Sequence, residues 1–132
     1  MVDVRFTLAL KTTNPNNGSA GFSRAATFAK ARRRKAQRQV AGAMTRVMVG
    51  PSPRWPLVIT LTRVAPSDGL DPHDGLGAAL KGVIDGVADG LGLRDDRDAR
   101  VTWVLGQRRG HKGAYAVEVH IEPRPEPVTP AQ

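Results

Sequence analysis

Residues 71–98 read DPHDGLGAALKGVIDGVADGLGLRDDRD, and the organisation of the chain follows from how this stretch folds. Leu76, Leu80, Val83, Val87 and Leu91 recur at i, i+4, i+7, i+11 and i+15, one apolar stripe that predicts a helix over 78–91. At about 100° per residue, Asp74, Lys81 and Asp85 share a narrow arc opposite that stripe, with Asp89 at its margin. Gly90 and Gly92 then release the chain towards Asp95 and Asp96. Acids at both ends of one short helix and along its outer face are placed to meet around a cation. Eight of the chain's twelve carboxylates lie between Asp68 and Asp98, in a protein of formal charge +8. Hard divalent cations take oxygen ligands, commonly one or two carboxylates with waters and substrate phosphates. An acidic cluster in a basic protein repels a nucleic-acid backbone unless metal neutralises it, so Mg²⁺ is the expected cofactor.

Working outward, Val2, Val4, Phe6, Leu8 and Leu10 alternate with polar or small residues and predict a half-buried strand. A loop rich in Asn, Gly and Ser leads to Ser23, a candidate helix cap, and to a long helix over 24–48 whose apolar face includes Val40, Met44, Val47 and Met48. Pro51, Pro53 and Pro56 end it, and Trp55, Leu57, Ile59 and Leu61 form the next strand. Beyond the acidic helix come Val101, Trp103 and Leu105 in one strand and Tyr115, Val117, Val119 and Ile121 in another, with 106–113 expected to join them as a loose hairpin. The order β-α-β-α-β-β predicts an α+β fold, a small sheet with two helices packed on one face. Strand order stays open. Residues 1–122 are expected to form a single domain, and four prolines in the ten residues from Pro123 predict a disordered tail over 123–132.

The 132 residues suffice for one hydrophobic core. The lack of cysteine excludes disulfides and cysteine-ligated zinc or iron–sulfur centres. No apolar run approaches the ~20 residues of a membrane span, and the first residues alternate instead of forming a signal peptide. The expectation is a cytoplasmic protein with no membrane partner. Residues 1–50 hold ten Lys/Arg against Asp3 alone, a net of +9. With a sequence pI near 11.0, that polarity points to a polyanion partner, most simply DNA.

Lys30, Arg32, Arg33, Arg34, Lys35 and Arg38 place six cations within nine helical residues. Consecutive residues point in different directions, so the six surround the helix with positive potential suited to sequence-independent phosphate contacts. The plainer reading is a solvated helix face, but no interspersed acid supplies the i, i+4 pairing common on such faces. Arg108, Arg109, His111 and Lys112 offer a second contact. On spacing alone Lys81 and Asp85 are a surface ion pair, and Asp95–Asp96 serves equally as a turn or cap. Gly82, Gly86 and Gly90 each cost roughly 1 kcal/mol relative to Ala inside a helix, so close packing against the sheet or a partner subunit is expected to compensate. His73, His111 and His120 are isolated in sequence. His120 belongs to the polar face of the last strand, and His73 alone lies near the acids. Trp55, Trp103 and Tyr115 occupy apolar registers and read as core.

The stretch from Leu70 to Val101 resembles the RusA-type Holliday junction resolvases, crossover junction endodeoxyribonucleases of bacteria and prophages. That family carries an Asp-x-Asp-Asn box, a Lys shortly after, an Asp four residues beyond the Lys, and an Asp-Asp pair some ten residues later. Lys81, Asp85, Asp95 and Asp96 keep the Lys–Asp–Asp-Asp spacing, and Asp74 takes the second Asp of the box. Gly75 stands at the Asn position and Pro72 at the first Asp position, beside Asp71. The resemblance implies a Mg²⁺-dependent, homodimeric enzyme that nicks four-way DNA junctions symmetrically, in recombination, repair or phage DNA processing. Asp74 and Asp96 would be the main metal ligands, Asp71 and Asp95 their helpers, Lys81 a phosphate- or water-positioning residue, and Asp85 a support. A catalytically degenerate DNA-binding protein on the same scaffold is the alternative, suggested by Pro72 and Gly75.

Overall fold

The computed structural model of the chain describes residues 3–12, 24–66 and 75–125. Their elements run β1 (Val4–Leu8), α1 (Arg24–Val49), β2 (Leu57–Ala65), α2 (Gly75–Gly90), β3 (Val101–Arg109) and β4 (Ala116–Pro123). This is the expected α+β order. The strands form one sheet in the order β1-β4-β2-β3. β4 is antiparallel to both β1 and β2, whereas β3 runs parallel to β2, with Leu57 opposite Val101 and Ala65 opposite Arg109.

That order corrects the expected hairpin. β3 and β4 lie on opposite sides of β2, and Gly106 sits inside β3 instead of opening a turn. A two-residue alternation is the same whether a strand pairs with its neighbour in sequence or with one farther off, so the pattern could not discriminate. β2, α2 and β3 make a parallel crossover unit, which leaves β2 central. β2 also starts two residues later than expected: pairing begins at Leu57, after Pro56. The boundary of the tail moves too. Pro123 pairs with Leu57, and the Arg124 N–H donates to the Pro56 carbonyl at 2.7 Å, so the fold holds both residues. Residues 126–132 and Ser23 lie outside the described residues.

One face of the sheet is covered. Phe6 and Leu8, Leu57, Ile59 and Leu61, Val101, and Val117, Val119 and Ile121 all point to it and are buried. Onto them falls the α2 stripe, with Leu76, Leu80, Val83 and Val87 buried and Leu91 packed at its edge. The opposite face stays open, with Arg5, Thr7, Thr102 and Val104 exposed and Glu118, His120 and Glu122 half-buried. α1 lies beside α2, and the three glycines explain how closely. A Cβ on Gly86 would collide with the Arg38 carbonyl oxygen and sit 2.7 Å from Ala41 Cβ. On Gly90 it would meet Gly42 O at 2.6 Å, and on Gly82 Gln37 Oε1 at 2.8 Å. The compensation for three helical glycines is therefore the close approach of α1, rather than of the sheet. α2 is consequently buried on two sides and α1 on one.

Candidate functional site

α2 ends in a Schellman turn. Leu93 N–H donates to Ala88 O at 2.9 Å and Gly92 N–H to Asp89 O at 3.0 Å, with Gly92 at φ 75°. Only glycine takes that conformation without strain, and buried Leu93 fixes the exit direction. The turn carries Asp95 and Asp96 back beside the helix. Lys81 Nζ then donates to Asp96 Oδ2 at 3.0 Å and lies 3.1 Å from Asp85 Oδ1. Helix and turn are thus joined through the lysine. Asp85 also faces Arg34, 3.6 Å away. Arg34, Asp85, Lys81 and Asp96 thus form one chain of alternating charge.

The electrostatics follow the hydrogen bonds. Donation from Lys81 holds the Asp96 carboxyl below its ordinary pKa, against the opposing effect of partial burial. For Lys81, burial works against the charge, but the bonds to Asp96 and Asp85 outweigh it and raise the pKa. Asp96 is held from the sheet side as well, because Trp103 Nε1 donates to its backbone carbonyl at 2.8 Å. Trp103 is half-buried, in keeping with its core register, but this anchoring bond has no sequence signature. The two acids of the pair differ. Asp95 Oδ1 accepts from Arg97 N–H at 2.8 Å, closing the turn, whereas Asp96 reaches the lysine. Asp98 belongs to a separate device: Arg100 donates to it through its backbone and guanidinium, holding the carboxyl at about 2.

Asp71, Asp74 and His73 lie outside the described residues. Asp89 is occupied elsewhere, since Arg38 grips it with two bonds of 2.6 and 2.9 Å. This changes the reading of the basic helix. Two of its missing counter-charges are supplied by α2, across the glycine seam, where Arg34 faces Asp85 and Arg38 faces Asp89. Arg32, Arg33 and Lys35 are exposed, and Arg33 Nε leans on Ala29 O at 3.5 Å. Lys30 is half-buried near the start of α1. Arg108 and Arg109 end β3, where Arg108 forms a two-bond pair with Glu118; His111 and Lys112 are exposed beyond them. Arg63, which no sequence motif marks, is buried near the end of β2, and its Nε donates to Thr12 O at 3.2 Å.

Compared with known proteins, the chain matches no family model and no curated protein. No helix among the described residues is long and apolar enough to cross a membrane.

Proposed function

We propose that this chain is a Mg²⁺-dependent, structure-selective DNA endonuclease that resolves Holliday junctions by symmetric nicking, as its resemblance to the RusA-type resolvases implies. The observation that carries the reading is the position of Lys81, bonded at once to Asp85 on its own helix and to Asp96 on the returning turn. Arg34 and Lys81 balance the charges of Asp85 and Asp96. A further carboxylate at this corner would exceed that balance and call for a cation, and the resolvase resemblance names Asp74 and Asp71 for that part. The donors are carboxylate oxygens, which suits Mg²⁺. Asp74 and Asp96 would hold the ion, helped by Asp71 and Asp95. Once bound, it would neutralise phosphate charge and lower the pKa of a coordinated water.

The chain's own groups supply the rest. Lys81, released in part from Asp96, turns its ammonium to the phosphate, and Asp85 keeps that side chain extended along α2. Trp103 positions the Asp96 backbone. Arg32, Arg33 and Lys35 on the outer side of α1, with Lys30 and the Arg109–Lys112 end of the sheet, form the contact to the DNA backbone. A second copy brings a second site to the junction, and two-fold symmetry matches a symmetric product. Val40, Met44, Val47 and Met48 make an exposed apolar stripe on α1 for that contact, with Val47 78% exposed.

The second reading, a DNA-binding protein that has lost the nuclease, is favoured by Gly75, which opens α2 with no side chain where the resolvase pattern has Asn. A synthetic four-way junction separates the two. With Mg²⁺ the nuclease nicks it and Asp96→Asn binds without nicking. Tight binding without nicking by the parent selects the second reading, and equal affinity for linear duplex overturns both.

A further inference from the structure

On the open face of the sheet, β1 and β4 bring together three groups that the proposed nuclease does not use. His120 and Glu122 lie two residues apart on β4 and so project from the same face. Arg5 is opposite His120 and Val4 opposite Ile121, which places Asp3, one residue before β1, across from this pair. His120 Nε2 is 3.0 Å from Asp3 Oδ2 and 3.7 Å from Glu122 Oε2. One ligand atom from each of the three falls within 4.8 Å of the others.

We propose that Asp3, His120 and Glu122 form a second metal site, selective for a borderline divalent ion such as Zn²⁺. An imidazole nitrogen with two carboxylate oxygens is a donor set that suits Zn²⁺ better than Mg²⁺, which favours oxygen alone. Two carboxylates match the ion's charge. They face each other across an antiparallel pair, with His120 between them. Arg5, with Nε 3.7 Å from Asp3 Oδ2, is the nearest competing cation, and its side chain is 74% exposed and free to swing away. Three protein ligands leave a tetrahedral ion one open position. On the other side of His120 from Asp3 and Glu122 the surface forms a concavity of about 350 Å³ lined by Arg5, Thr7, Thr60, Thr62 and Glu118, which gives water access to the imidazole. Binding would tie the start of the edge strand β1 to β4.

The test is a Zn²⁺ titration of the untagged chain by calorimetry in excess Mg²⁺, paired with the proton spectrum of the parent in Co²⁺. The expected result is saturable Zn²⁺ binding that weakens more than about tenfold in His120→Gln and in Glu122→Gln, since losing even an outer-shell partner costs about 10–100-fold. His111→Gln binds as the parent does, and Co²⁺ shifts the His120 ring resonances. The Co²⁺ experiment needs no variant, so it decides the matter even if a substitution perturbs folding. Absence of saturable Zn²⁺ binding, unchanged affinity in His120→Gln, or Co²⁺ shifts that spare His120 would overturn the proposal.

Discussion

Asp89 and Asp96 lie seven residues apart, on either side of one helix end, and are held in opposite ways. Asp89 receives two bonds from Arg38 and closes the flank of the α1–α2 seam. Asp96 shares a single lysine with Asp85, while its backbone is pinned by Trp103. Within a cluster of like residues, the partner decides the role. An aspartate saturated by a guanidinium fork is a structural counter-charge, whereas one that shares an ammonium keeps an oxygen available to other ligands. The acidic surplus of α2 therefore divides into acids that balance the basic helix and acids at the exit turn, to which the proposed chemistry is assigned.

Exchanging the two acids breaks this comparison most sharply. Asp96→Asn should reduce Mg²⁺-dependent nicking on the order of 10²-fold or more, the scale of removing one electrostatic group at a reacting centre. Asp89→Asn should leave the nicking rate near the parent's and lower the thermal midpoint instead. Single-turnover nicking and a thermal melt, run on both variants, check the pair; the opposite assignment of effects would reverse the division.

The seam itself is probed by glycine. Gly86→Ala puts a methyl into the Arg38 carbonyl and Ala41, and should cost about 1–3 kcal/mol by urea unfolding as the helices separate. Gly77→Ala, on the same helix with nothing within 4 Å, should gain roughly 0.5–1 kcal/mol. Equal effects at the two positions would mean that the seam is not close-packed. A smaller change is expected for Trp103→Phe, which keeps an aromatic side chain, though a smaller one, but deletes the donor to Asp96 O. It should cost about 1 kcal/mol of stability and slow nicking without weakening junction affinity. Junction affinity that falls with the rate would assign Trp103 to the DNA interface.

The least effect comes from the turn beyond. Arg100 depresses Asp98 from 3.8 to about 2, so its pairing adds stability above pH 3.8 that is lost as the pH falls to about 2. A carboxyl titration by NMR should place the Asp98 midpoint there, and Arg100→Ala should return it towards 3.8.

How much of this was legible depends on the range of each interaction. Element order and the covered face were written in the alternation of Leu57, Ile59 and Leu61 and in the stripe from Leu76 to Leu91, because burial imposes a local period. The pairing of Lys81 with Asp85 was legible as an i, i+4 spacing, whereas the reach of Lys81 to Asp96 depends on the turn after Gly92 and has no local pattern. The pairing of β3 with β2 was not legible either, since no local pattern names a strand's distant neighbour. The grip of Arg38 on Asp89 was hidden as well, because its partners are 51 residues apart. The six cations were therefore read as uniformly available, although two of them face acids of α2. Asp3, His120 and Glu122 went unassembled for the same reason, being joined only by the register of β1 on β4.

The central claim is that the acids at the exit of α2 hold Mg²⁺, and the most direct measurement is a Mg²⁺ titration followed by amide NMR. The account predicts that the amides of Asp95 and Asp96 shift together with those of Asp71, His73 and Asp74 along one saturation curve, while Asp89 and Glu122 stay in place. Silence at Asp96 at saturating Mg²⁺, or shifts centred on Asp89 instead, would contradict it.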